Sequence, residues 1–219
     1  MPFEDAVTDE VALRRLYRQP HPIVVRKAID HLDEGARGFI ARSPFVLVAT
    51  AGSRGADASP RGGAPGFVTV LDEHRLAFAD LAGNNRLDSY RNLLEQPAMG
   101  LLFLVPGVGE TLRVNGRATL TTDPGVLAAV AVDGRPPRTA IGVDVDACFI
   151  HCAKAFRRSG LWDPVTWPQP EDRPSAACIL NDHLELGLDP KTIEDDLEAG
   201  YAATMWEPGG VDQTVAVEP

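Results

Sequence analysis

Apolar residues recur at helical spacing before Phe45 and in short alternating or continuous runs after it. No other feature of the chain limits the fold as much as this change of period. Residues 45–50 form a compact β-branched run that reads as a buried strand. A turn at 51–55 and a return strand at 57–61 follow. Gly62, Gly63 and Gly66 interrupt the pairing, where a bulge or a close backbone approach is expected. Further strands are expected at 67–71, 76–80, 99–105, 110–120 and 141–151. The run 99–105 is apolar throughout and is expected to be buried on both faces. The run 110–120 alternates and has one polar face. Helices are expected at 86–95, with Leu87, Tyr90, Leu93 and Leu94 on one face, and at 124–131 behind Asp123-Pro124. Strands and helices do not alternate in a βαβ series. Gly-x-Gly-x-x-Gly, a P-loop and internal repeats are all missing. The pattern implies a mainly β fold with α decorations, an antiparallel barrel closed by hairpins.

The flanks read as helical. Segments 7–18, 22–32 and 33–42 should pack outside the sheet or against a partner subunit. Residues 164–174 hold four prolines and form a linker. Helices are expected at 175–186 and 190–203, and 208–219 as a loose end. The expected organisation is a helical extension at 1–43, the barrel at 44–163, and a Pro-rich linker with an acidic helical extension at 164–219. Residues 171–219 carry twelve acids against Arg173 and Lys191, and the net charge of the whole chain is −10. The remainder is therefore balanced. Such a charge disfavours nucleic acid or an anionic membrane as partner, and leaves room for one small anion in a local arginine pocket. The acidic segment itself reads as a solvated surface. No apolar run reaches the length of a membrane span, and the acidic start is unlike a signal peptide. Three cysteines do not make a disulfide framework. A cytoplasmic protein is expected.

The residues that could carry chemistry fall in four places. Around 76–89 a strand ending at Asp80 leads through Gly83, Asn84 and Asn85 to Arg86 and Ser89 at a helix start. Free backbone N–H groups beside a guanidinium suit a phosphate. The alternative is a helix cap at Asn85 with Arg86 paired to Asp88. Ser59 and Arg61 project from one side of a strand and suit the same anion. Taken alone, Arg61 reads as an exposed loop arginine. Thr111 and Arg113 lie on the polar face of 110–120. The run 151–162 gathers Lys154, Arg157, Arg158, Ser159 and Trp162 behind His151 and Cys152. Cys148 and Cys152 would share one strand face and His151 the other, so the set does not spell a metal site. No activated thiolate is marked.

These residues resemble a known set. Ser-Pro-Arg-Gly and Pro-Gly-Phe at 59–67 are joined by Gly-Asn-Asn-Arg-Leu-Asp at 83–88 and Gly-Leu-Leu-Phe at 100–103. Glu-Thr-Leu-Arg-Val-Asn-Gly stands at 110–116 and His-Cys-x-Lys-Ala-x-x-Arg-Ser-x-Leu-Trp at 151–162. Over residues 40–163 the chain is similar to the pyridoxamine 5'-phosphate oxidase-like, FMN-binding split-barrel family, in its bacterial branch. The resemblance implies a homodimer with FMN in a groove between two split barrels. It implies phosphate contacts from 59–61 and 84–89. It implies framing of the flavin by 110–116 and 154–162, from the second subunit for part of it. The Arg-x-Val-Leu-Leu-Lys strand of authentic pyridoxamine phosphate oxidases is Ala-Pro-Gly-Phe-Val-Thr at 64–69 here. Their Ser-Arg-Lys turn is Asn84-Asn85-Arg86, and their Arg-x-His signature is missing. The resemblance therefore reaches the flavin site and stops short of vitamin B6 as substrate.

The expected function is an FMN-dependent oxidoreductase acting on a small-molecule redox substrate, with no side chain required as acid or base. The competing expectations are a non-catalytic flavin- or haem-binding protein on the same barrel, and a cofactor-free structural dimer.

Overall fold

The computed structural model describes residues 4–210. Three short helices come first: α1 (Glu10–Leu16), α2 (Pro22–Arg26) and α3 (Glu34–Ile40). Strands β1 (Phe45–Gly52), β2 (Gly55–Gly62), β3 (Thr69–Val70) and β4 (Arg75–Ala79) follow. Helix α4 (Asp88–Glu95) precedes β5 (Ala98–Leu104) and β6 (Thr111–Thr121). Helix α5 (Pro124–Ala129) leads to β7 (Ala140–His151) and α6 (Lys154–Ser159). Two single-turn 3-10 helices, Pro164–Thr166 and Pro170–Asp172, occupy the proline-rich linker. Helices α7 (Ala176–Leu184) and α8 (Pro190–Thr204) complete the chain.

All seven strands form one antiparallel sheet in the order β2-β1-β5-β6-β7-β4-β3. The curled sheet with its helices is the split-barrel fold. Its interior is filled by alternate residues of the strands: Val46 and Val48, Met99, Leu101 and Phe103, Leu112 and Val114, Ile141 and Val143. Leu32 and Ile40, around α3, plug the same core. At Asn115/Gly116 the β6–β7 register shifts, and a Cβ on Gly116 would stand 2.1 Å from the Asp144 carbonyl oxygen. Only glycine permits that approach, and the extra residue, Asp146, makes a bulge that bends β7 around the barrel.

Three expectations change. Strand β5 alternates between buried and half-buried positions, because a barrel strand has one inward face. Its outer residue Leu102 stands opposite Leu47 of β1, which is 38% exposed. The second helix stops at Arg26, since Ile29 exchanges backbone hydrogen bonds with Cys148 of β7 at 3.0 and 2.6 Å. Of the apolar face expected on α4, Leu93 is buried and Tyr90 half-buried, while Leu94 is 78% exposed. Polar side chains take that inner face instead. Asn92 donates to Thr50 Oγ1 at 3.1 Å, and both residues are buried. Helices α1 and α2 bury no residue. Among the described residues, no helix is long and apolar enough to cross a membrane.

Candidate functional site

The two edge strands, β2 and β3, do not pair with each other, and both line one cleft of about 1040 Å3. The turn before α4, the end of α5 and residues 205–210 supply its other walls. The volume lies at the upper end of small-ligand sites.

On β2 the alternation puts Asp57, Ser59 and Arg61 on one side, each half-buried between exposed neighbours. Arg61 Nη1 donates to Ser59 Oγ at 3.0 Å and to the Pro60 carbonyl at 2.8 Å. Ser59 Oγ lies 3.1 Å from Ser89 Oγ. Ser89, buried on the first turn of α4, donates to Asp57 Oδ2 at 2.6 Å. A polar chain therefore runs from the strand to the helix.

The turn entering α4 has an uncommon backbone. Asn85 (φ 55°) and Leu87 (φ 58°) are left-handed, which costs a branched residue such as leucine more than asparagine. Leu87 occupies the N-cap position and has no side-chain acceptor for the helix N–H groups. A left-handed residue followed by a helical one turns successive N–H groups toward one concavity. Asn85 is thus not the cap. Asn84 Oδ1 instead accepts from the Arg86 N–H at 3.1 Å. Arg86 Nε donates to Asp88 Oδ2 at 2.8 Å, and its side chain is 73% exposed. That hydrogen bond raises the guanidinium pKa and holds the Asp88 carboxyl below its ordinary value. Arg86 lies just outside the helix and faces solvent, while Ser89 faces the sheet. The two do not project together.

Asp80, at the end of β4, accepts from the Tyr90 hydroxyl. Burial first, then the hydrogen bond and charge of Asp80, push the Tyr90 pKa up; the charge of Arg61 opposes this. Residues 205–210 run past the same carboxylate. Leu81 bridges Pro208, Ala82 N–H donates to the Glu207 carbonyl at 2.8 Å, and Gly209 N–H donates to the Asp80 carbonyl at 3.2 Å. The loose end expected from 208 is therefore docked through 210, and 211–219 lie outside the described residues.

Seven of the sequence-derived candidates line this cleft: Ser59, Arg61, Asp80, Asn84, Asn85, Arg86 and Ser89. The other six do not line it within one chain. Thr111 is buried on β6 opposite His151. The Arg113 guanidinium sits over the Phe149 ring at 5.5 Å. On α6, Arg158 Nε donates to the Lys154 carbonyl at 3.2 Å, and Ser159 Oγ to the Phe156 carbonyl at 3.2 Å. Trp162 stacks on Phe156 at 5.5 Å and donates to the Val108 carbonyl at 2.9 Å. Three contributors went unforeseen: Asp57, Tyr90 and the 205–210 segment. Asp57 was legible, being two residues before Ser59 on the same strand face.

The donor set fits a phosphate monoester: two hydroxyls, two guanidinium groups and uncapped helix N–H groups. Four carboxylates, of Asp57, Asp80, Asp88 and Asp133, share the cleft with the two guanidinium groups. Two of them, Asp57 and Asp88, already engage Ser89 and Arg86. An anion entering here would take over donors that internal acids now hold.

The model of the family described as pyridoxamine 5'-phosphate oxidase matches residues 32–152. Comparison with curated proteins finds no match. Among solved structures, the chain is similar to a point variant of HupZ from Group A Streptococcus, at 14% identity and TM-score 0.46, over 55% of this chain and 99% of that one. A Lactobacillus delbrueckii protein provisionally named a pyridoxamine 5'-phosphate oxidase is 20% identical, with TM-score 0.44, over 55% of this chain and 95% of that one. A Clostridium acetobutylicum protein related to general stress protein 26 is 15% identical, with TM-score 0.42, over 53% and 85%. The family match spans more than half of the sequence and takes in β1 to β7, both edge strands of the cleft and the turn before α4; on that match, the chain belongs to the pyridoxamine 5'-phosphate oxidase family.

Proposed function

We propose that the cleft binds FMN and that the protein is an FMN-dependent oxidoreductase of a small-molecule substrate. The observation that carries this reading is the Arg61–Ser59–Ser89 chain beside the uncapped start of α4. Ser59, Ser89, Arg61 and Arg86 would hold the phosphate, with Asn84 and Asn85 shaping the turn around it. The bound flavin would supply hydride or electron transfer, and the chain's residues would bind and orient it. Among the described residues lining the cleft there is no histidine, cysteine or lysine. Proton transfer by such a side chain is therefore not part of this reading, and the Tyr90 hydroxyl already donates its hydrogen bond to Asp80.

Two guanidinium groups among four carboxylates leave the cleft short of positive charge for a phosphate dianion. A homodimer supplies the remedy. The exposed cations of α6, Lys154 and Arg158, together with Arg113 and the Ser159–Trp162 turn, would reach the cleft of a second copy. The outward Leu47 and Leu102 pair of β1 and β5 offers that copy an apolar face. Oxidised flavin absorbance in the purified protein, and a rise in melting temperature with added FMN, test the reading. Colourless protein with no thermal response to FMN contradicts it.

A non-catalytic flavin carrier is the second reading, since the same phosphate donors on β2 and α4 would serve it equally. Turnover with NAD(P)H and an acceptor separates the two. Haem is the alternative cofactor for the same cleft: Tyr90 and Met205 are the residues among its described lining that could ligate iron, and a Soret band in place of flavin absorbance would favour it.

A further inference from the structure

The segment 205–210 lies far beyond residue 152, where the family match ends, yet it forms part of the cleft. Its anchoring is extensive. Arg138 Nη1 donates to the carbonyls of Pro208, Gly209 and Gly210 at 3.3, 3.2 and 3.3 Å. Arg135 pairs with Glu207 at 3.3 Å and reaches the Trp206 carbonyl at 3.5 Å. Gly209 is buried, and a Cβ there would stand 2.1 Å from Asp80 Oδ2. Any other residue would have to displace the Asp80 carboxylate or shift the segment from the Leu81 carbonyl.

This network holds two large apolar side chains in the cleft. Met205 is 54% exposed and Trp206 is 45% exposed, and both line it. Two arginines and a glycine contact would be an elaborate way to leave a tryptophan half in water. The Ser59–Ser89 chain on β2 and α4 supplies the polar donors of the same cleft. The cleft is thus amphipathic, lined by anion donors and by an indole and a thioether. Those groups bind flat aromatic surfaces by dispersion and by sulfur–ring contact.

We propose that the C-terminal arm, residues 205–210, is the ring-binding wall of the cleft, with Trp206 contacting the planar ring of a phosphorylated aromatic ligand and Arg138 holding the arm in place. This rests on the FMN reading above and assigns the ring end of that site.

The test uses the full chain as wild type, Trp206→Ala, Trp206→Phe and Arg138→Gln, each titrated with FMN and with riboflavin. Trp206→Ala is expected to weaken both ligands alike, by about 5- to 100-fold, the range for loss of one aromatic stacking partner. Trp206→Phe should retain most of the affinity. Arg138→Gln should weaken both ligands without touching either. If the wild type binds FMN and Trp206→Ala binds it equally well, the arm is only a tether and the assignment is overturned while the FMN reading stands. Loss of FMN affinity with riboflavin unchanged would put Trp206 at the phosphate end and also overturn it. If the wild type binds neither flavin, both readings fall.

Discussion

The hydroxyls of Ser59 on β2 and Ser89 on α4 lie 3.1 Å apart, although 30 residues separate them in the chain. The contact joins an edge strand to the first turn of a helix, and Arg61 and Asp57 extend it on either side. It ties the edge strand to the helix start at the wall of the cleft.

Ser89→Ala tests the structural half of that role. Ser89 is buried, and its loss leaves Asp57 and Ser59 without their shared partner. Urea unfolding should show a loss of about 1–3 kcal/mol, the cost of stranding buried polar groups. An unchanged midpoint would mean that water replaces the hydroxyl.

Arg86→Ala tests the binding half. Its pair with Asp88 is a surface one in which Arg86 is 73% exposed, so the fold should be nearly indifferent to the change. FMN affinity should fall about 10- to 100-fold, as for one charge-assisted hydrogen bond to phosphate, with riboflavin unaffected. Equal loss for both flavins would remove Arg86 from the phosphate.

His151 should give the protein a distinctive acid response. Its Nε2 is buried without a hydrogen-bond partner among the described residues. Burial first, then the charges of Arg113 and Lys27, hold its pKa below the ordinary 6.5. As pH falls, the unfolded chain takes up this proton before the folded one does. Stability from this group is therefore complete above pH 6.5 and is lost through the depressed folded value below it. Melting temperatures measured from pH 8 to about 5, above the carboxylate range, should decline in the wild type and decline less in His151→Gln. Parallel profiles would contradict this.

The strands were legible because a pleated strand with one inward face writes a period of two into the sequence. Leu112 and Val114 against Arg113 and Asn115 announce it directly, while the continuous apolar run of β1 was legible by its β-branched residues. The phosphate candidates on β2 and before α4 were legible as short polar motifs at strand and helix ends. The start of α4 was hidden, because a leucine in the left-handed region gives no capping signal. The inner face of α4 was misread, since Asn92 and Ser89 face the sheet through hydrogen bonds that no hydrophobic pattern encodes. The arm at 205–210 was invisible for a similar reason. Its contacts with Arg135, Arg138 and Asp80 span about 70 residues or more and run largely through backbone carbonyls. The sequence brought Lys154, Arg158, Ser159 and Trp162 into the candidate list, and the single chain keeps them away from its own cleft.

Comparative binding of FMN and riboflavin by the wild-type protein, followed by flavin fluorescence, is the most direct measure of the phosphate site. The two ligands differ only in the phosphoryl group. The geometry around Arg61, Ser59, Ser89 and Arg86 predicts FMN binding at least about tenfold tighter, with the gap narrowing as salt is raised. Equal affinities, or no binding of either flavin, would contradict it.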